Sequence, residues 1–106
     1  MSCFTRVGDH VGERSLKHHK ATLFAGPSLM VGLNCLEPGQ EQVVHTHRNQ
    51  EKFYLVISGE GWFTVGQEER RAGVGSVIWA PRGIPHGVRN DGDERLVIFM
   101  GMAPPP

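Results

Sequence analysis

Cysteine is scarce in this sequence, and long apolar runs are missing altogether. Only two of the 106 residues are cysteines, Cys3 and Cys35, so a framework of several disulfide bonds is excluded. No apolar run approaches the roughly 20 residues that a membrane-spanning helix needs. The opening residues MSCFTRVGDH lack the apolar segment of a secretory signal peptide. We therefore expect a cytoplasmic protein whose two thiols are free.

An excess of charge of either sign is also lacking. Lys and Arg together number 11, Asp and Glu together number 11, and the formal net charge is +0 at pH 7. Binding to nucleic acids or to anionic membrane surfaces usually depends on an excess of basic residues. The balanced charge therefore argues against a nucleic-acid partner and against a membrane partner.

Turn-forming residues are abundant by contrast. The chain has 14 Gly and 7 Pro, scattered between short apolar runs, and this pattern is typical of all-β proteins. It predicts roughly eight to ten short strands and no helix, with a polar lead-in over residues 1–20 and a single β domain over residues 21–103. Because so short a chain buries only a limited core and leaves edge strands open, we expect a homodimer.

Two histidines and an acid lie close together near the middle of the chain. His45 and His47 are two residues apart, and Glu51 follows four residues after His47. Side chains at i and i+2 of a strand point to the same face of a sheet. Neutral imidazole is the commonest side-chain ligand of metals, and a carboxylate can complete such a site. The pattern therefore indicates a candidate metal site.

Two glycine-bounded segments resemble the paired motifs of the cupin family. In the first, five residues separate a glycine from a His-x-His pair, and an acid and a second glycine follow: Gly39, His45, His47, Glu51 and Gly59. The segment 60–74 then leads to the second motif.

The second segment matches the family pattern at every fixed position. That pattern is a glycine, a Pro-x-Gly turn, a histidine and an asparagine, and the matching residues are Gly75, Pro81, Gly83, His86 and Asn90. Together the two motifs and the segment between them cover about half of the chain. Matches of this number, in the right order and separation, identify the sequence as similar to small single-domain cupins.

The resemblance implies both a fold and a metal site. Cupins have the double-stranded β-helix, or jelly-roll, barrel. Their motifs supply three histidines and one acid, which here are His45, His47, Glu51 and His86, and which would hold a divalent transition metal such as Mn, Fe, Co, Ni, Cu or Zn. Asn90, on the same strand face as His86, would hydrogen-bond within the wall or support the ligands.

One interval departs from the pattern and leaves the fourth ligand open. Seven residues separate Glu51 from Gly59, where the family has six, so counting back from Gly59 places the acid's position on Lys52. A charged lysine cannot ligate a metal. Strand alternation groups Glu51 with Phe53, Leu55 and Ile57, which favours Glu51 facing inward. Either Glu51 is the fourth ligand, or the site has three histidines completed by water.

The resemblance does not specify the reaction, because one fold hosts many activities. A metal-dependent enzyme acting on a small molecule is the first interpretation. Dioxygenase-type oxidation leads among its possible reactions, with isomerase or lyase chemistry close behind. The alternative is a non-catalytic barrel that binds or senses a small ligand. No catalytic residue beyond the metal ligands can be chosen from the sequence.

Overall fold

A computed structural model describes residues 1–106 and contains nine β-strands. A short 3₁₀ turn, Val7–His10, precedes them. The strands are β1 (His19–Ala25), β2 (Met30–Leu36), β3 (Glu41–His45), β4 (Glu51–Ser58), β5 (Gly61–Val65), β6 (Glu68–Ala72), β7 (Val77–Ala80), β8 (His86–Arg89) and β9 (Leu96–Ala103). None of the helical segments has the length and apolar character that crossing a membrane requires.

The strands form two antiparallel sheets. One has five strands in the order β1-β2-β9-β4-β7, and the other has four in the order β3-β8-β5-β6. Because strands that are distant in sequence become neighbours, the chain passes repeatedly from one sheet to the other, as it does in a jelly roll. The predicted all-β class with a double-stranded β-helix is confirmed.

The main core lies between the two sheets. Nine buried side chains form it: Leu36, Tyr54, Val56, Phe63, Val88, Leu96, Ile98, Met100 and Met102. Alternate residues of β4 and β9 point into this space, because successive side chains of a strand face opposite sides. None of the nine core residues belongs to β3.

A second, smaller cluster lies on the outer face of the five-stranded sheet. Leu33, Cys35 and Val97 are buried there, and Val7 and Val11 of the N-terminal segment pack against them. The segment predicted as a polar lead-in therefore covers apolar surface of the sheet. β1 begins at His19, two residues before the predicted domain boundary, and the division into two regions stays a prediction.

Candidate metal centre

The side chains of three histidines converge on the inner face of the four-stranded sheet. β3 and β8 are antiparallel neighbours, and His45 lies opposite His86 in their ladder. His47 follows two residues after His45 and lies just past the end of β3. The nitrogen atoms that the three rings offer all lie within 4.8 Å of one another. The structure thus brings together three of the four side chains that the sequence predicted for the site.

Backbone carbonyls orient two of the rings. Nδ1 of His45 lies 2.8 Å from the carbonyl oxygen of Val43, and Nδ1 of His86 lies 3.0 Å from that of Ile84. Because a carbonyl oxygen only accepts, each Nδ1 carries the hydrogen and each Nε2 keeps a free lone pair. This tautomer is the one in which Nε2 is ready to ligate a metal.

The three Nε2 atoms cannot all satisfy their hydrogen bonds with one another, whereas a metal ion could accept a lone pair from each. Nε2 of His47 lies 2.9 Å from Nε2 of His45, so in the metal-free chain His47 must donate the hydrogen between them. Nε2 of His86 is buried and has no hydrogen-bond partner. A buried polar atom without a partner is unfavourable, and a shared cation would satisfy all three nitrogens. The donor set therefore fits a divalent transition metal.

Burial favours the neutral form of two of these imidazoles. Loss of solvent lowers the pKa of His47 and of His86, and the positive charge of nearby Lys52 lowers both further. A lowered pKa favours the uncharged imidazole at neutral pH, which is the form that binds metals.

The turn of the second motif fixes the position of the histidines. Gly83 has φ +78°, a left-handed conformation that glycine adopts readily, and its N–H donates to the carbonyl oxygen of His47 at 2.9 Å. Asn90 braces the far end of β8, because its side-chain amide donates to the carbonyl oxygens of Leu36 and Glu94 at 2.8 Å each. Asn90 thus acts in the wall, which was one of its two expected roles.

Glu51 does not join the histidines, and the expectation that it faces inward is corrected. Glu51 is exposed, whereas Lys52 is only 4% exposed and points into the barrel. Apolar character favours the face of β4 that carries Glu51, Phe53 and Leu55 as the inward one. That criterion failed because the outward residues Phe53 and Leu55 also pack on a partly covered apolar face. Of the two ligand sets left open by the sequence, the structure assembles the three-histidine set.

Lys52 therefore occupies the inward position at which the family pattern has an acid. Its Nζ lies 4.8 Å from the centroid of the Tyr54 ring, a cation–π distance. Burial, followed by repulsion from Lys20, lowers the pKa of Lys52 to about 8. With this pKa, Lys52 is still mostly protonated at neutral pH, so the interior next to the histidines carries a positive charge.

A cavity of about 430 Å³ adjoins the histidines, and His45, His47 and Lys52 line it. Gln42 also lines it, although it is three residues from His45 and simple alternation would put it on the opposite face. A register irregularity between Gln42 and His45 restores both to the inner side and leaves Val43 and Val44 exposed. Such a bulge has no signal in this sequence, so Gln42 was missed.

A second cavity, of about 560 Å³, lies between β6 and β7 and is lined by residues such as Arg70, Arg71 and Trp79. It is larger, but no histidine lines it. The donor atoms, rather than the volume, thus point to the first cavity as the functional one.

The fold and the histidine arrangement define a cupin. The sequence model of the cupin domain family matches residues 32–102, which is more than half of the chain, and the chain belongs to this family. It is 31% identical over 78 residues to an uncharacterized protein from Streptomyces coelicolor, and the match covers 74% of this chain and 72% of that protein.

Solved structures have the same fold. A crystal structure from Thermus thermophilus superposes with a TM-score of 0.93 at 32% identity, covering 97% of this chain and 98% of that one. An uncharacterized conserved protein with a double-stranded β-helix domain from Klebsiella pneumoniae gives a TM-score of 0.91 at 25% identity, covering 98% and 91%. Both similarities extend over nearly the whole chain.

Proposed function

We propose that this cupin binds one divalent transition metal through His45, His47 and His86 and acts on a small molecule held in the adjoining cavity. Mn, Fe, Co, Ni, Cu and Zn are the candidate ions, since all accept imidazole ligands. The observation that carries the proposal is the convergence of three imidazoles, with Nε2 of His86 buried and unpartnered.

Oxidation of the small molecule by dioxygen is the reaction type that we propose. A metal held by three histidines has coordination positions left for other ligands, and it would supply Lewis acidity or a site where dioxygen and substrate meet. The chain's own part is to orient the ligands through the carbonyls of Val43 and Ile84 and to present the substrate from the cavity. Isomerase and lyase chemistry use the same Lewis acidity and are the other reactions to test.

Metal analysis and a turnover assay together test this proposal. Protein purified without chelators should contain about one transition-metal ion per chain, and His86→Ala should lose it. Metal-loaded protein should then consume dioxygen, or convert substrate without it, with some member of a panel of small organic compounds. Metal-loaded protein that converts none of the panel would count against an enzyme.

A non-catalytic barrel that binds or senses a small ligand is the second candidate. The observation that favours it is Lys52, which replaces an anionic ligand by a cation that repels a metal. Under this alternative the native protein would contain no metal, and removal of metal would leave its affinity for the ligand unchanged. The metal content of native protein therefore separates the two candidates.

We also propose that the protein is a homodimer and acts in the cytoplasm. Two apolar side chains of the edge strand β7, Val77 and Trp79, are 68% and 53% exposed, and a second copy would cover them. Both cysteines are free thiols, as is usual in a reducing compartment.

A further inference from the structure

The cavity beside the histidines has a cationic lining that contains no acidic side chain. Lys52 and Lys20 both line it, and none of its lining residues is Asp or Glu. The ion pairs of the structure are all made by arginines, namely Arg70, Arg71 and Arg95. No Asp or Glu side chain therefore forms an ion pair with the ammonium of Lys52.

A buried ammonium without a counter-ion is unfavourable. Lysine is almost never fully buried unless it is paired, yet Lys52 is only 4% exposed. The face of the Tyr54 ring offers a partial compensation at 4.8 Å. This cation–π contact leaves the N–H groups of the ammonium free to donate hydrogen bonds to a group in the cavity. An anion bound there would provide the missing partner.

Two amide side chains add neutral polar groups to the same cavity. The hydroxyl of Tyr54 donates to Oε1 of Gln42 at 2.9 Å, which fixes the orientation of the Gln42 amide and leaves its NH₂ group to donate elsewhere. Asn34 is 5% exposed and also lines the cavity. An ionised carboxylate has only acceptor oxygens and so complements the ammonium and the amide NH₂ groups.

The rest of the lining suits a carbon skeleton. Met30, Met100 and Met102 provide a flexible apolar wall. The volume of about 430 Å³ lies within the range of small-molecule sites. The matching ligand thus has a carboxylate at one end and a short apolar part at the other.

We propose that this cavity binds a small organic carboxylate whose charged end pairs with Lys52. The proposal rests on the proposed function in taking this cavity as the substrate or ligand site, and it names the substrate class. Lys52 is then the residue that determines specificity for an acid. Replacing the family's acid by lysine would exchange a metal ligand for a ligand-binding cation.

Matched acid and amide pairs test the proposal by calorimetric titration. The probes are butyrate, benzoate and succinate, each compared with its neutral amide, on metal-free and on metal-loaded protein. At least one acid should bind the wild-type chain at least about tenfold more tightly than its amide, the scale of a hydrogen bond to a charged group. This comparison within the wild-type chain does not depend on the folding of any variant.

Variants then locate the binding group. Lys52→Met, which keeps a long unbranched side chain without the charge, should lose the preference for the acid. Lys17→Met is the matched control, because Lys17 is exposed and does not line the cavity, and it should bind as the wild type does. If no acid binds, if every acid and its amide bind equally, or if Lys52→Met keeps the preference, the proposal is overturned.

The two proposals fail in different ways. Metal-free protein that prefers the acid, together with an absence of metal in native protein, would support the carboxylate site and contradict the metalloenzyme. Native protein that contains metal but shows no preference for any acid would contradict the carboxylate site alone.

Discussion

His45 lies directly opposite His86 in the antiparallel ladder between β3 and β8. This pairing is what brings the two sequence motifs together, since each motif contributes one strand of the ladder. The Pro81-x-Gly83 turn sets the point where β8 begins, and the N–H of Gly83 holds the backbone of His47. The geometry of the three rings therefore depends on how closely β3 approaches β8.

Gly87 permits that close approach, and we predict that Gly87→Ala disrupts the site. A Cβ at this position would lie 2.8 Å from the carbonyl oxygen of Gln42 and 2.9 Å from the nitrogen of Val44. Both are backbone atoms of β3, so the strand itself would have to move. We expect a loss of about 1–3 kcal/mol in the free energy of unfolding, typical of overpacking, together with weaker metal binding.

Chemical denaturation and metal titration measure the two effects. Gly8→Ala is the control, because a Cβ at Gly8 would meet nothing within 4 Å. Wild-type stability and metal affinity in Gly87→Ala would contradict the close approach of β3 to β8.

Lys52→Glu should convert the three-histidine site into one with a carboxylate, and metal should bind more tightly. The change removes a repelling cation from the inner face of β4 and adds an anionic oxygen donor. We expect affinity to rise at least about tenfold, equivalent to 1.4 kcal/mol, in titrations with Zn or Mn.

The neighbouring acid provides the comparison for that experiment. Glu51 is exposed, so Glu51→Gln should leave metal affinity unchanged. A marked loss of affinity in Glu51→Gln would mean that Glu51 reaches the metal, and would contradict the assignment of the inward position to Lys52.

The stability of metal-free protein should rise with pH because of Lys52. Its pKa is lowered from 10.5 to about 8 in the folded chain, so between these values the unfolded state binds more protons than the folded state. The free energy of unfolding therefore increases over this range, by at most about 3 kcal/mol from this group. Below pH 8 the unfavourable contribution is fully present.

Lys52→Met isolates this contribution. The variant should be more stable than the wild type below pH 8, and the difference should shrink as pH rises toward 10.5. Urea denaturation of both chains across this range, in the presence of a chelator, measures the difference. A difference that stays constant with pH would show that Lys52 has an ordinary pKa.

The proposed homodimer gives a prediction about β7. Light scattering should give twice the chain mass of 11.7 kDa, and Trp79→Glu should give a single chain, because a charge placed in an apolar interface is costly. Val74→Glu is the control: Val74 is 70% exposed but lies in a turn between strands. A wild-type mass of one chain would refute the dimer.

The fold and the three histidines could be predicted because their signals are local. Glycines and prolines mark the turns, and the spacing of His45, His47 and His86 within the motifs identified the family. The inward residue of β4 could not be predicted, because the outer face of its sheet is also apolar and is partly covered by Val7 and Val11. The same pattern of apolar residues therefore suits either face.

The lining of the cavity was the other part that the sequence did not reveal. Gln42 reaches the cavity only because of the irregularity between it and His45. An irregularity of this kind depends on how two strands pair, which is a property of the folded sheet. The role that we propose for Lys52 likewise depends on strands that are distant in sequence, because they bring no Asp or Glu side chain into the lining.

We propose that His45, His47 and His86 hold a metal in this cupin without Glu51. Anomalous diffraction from crystals of the metal-loaded protein, at the absorption edge of the metal found by elemental analysis, tests it most directly. We predict one anomalous peak coordinated by Nε2 of His45, His47 and His86, with Glu51 in solvent. The absence of a peak among these three rings, or a peak that the carboxylate of Glu51 coordinates, would contradict it.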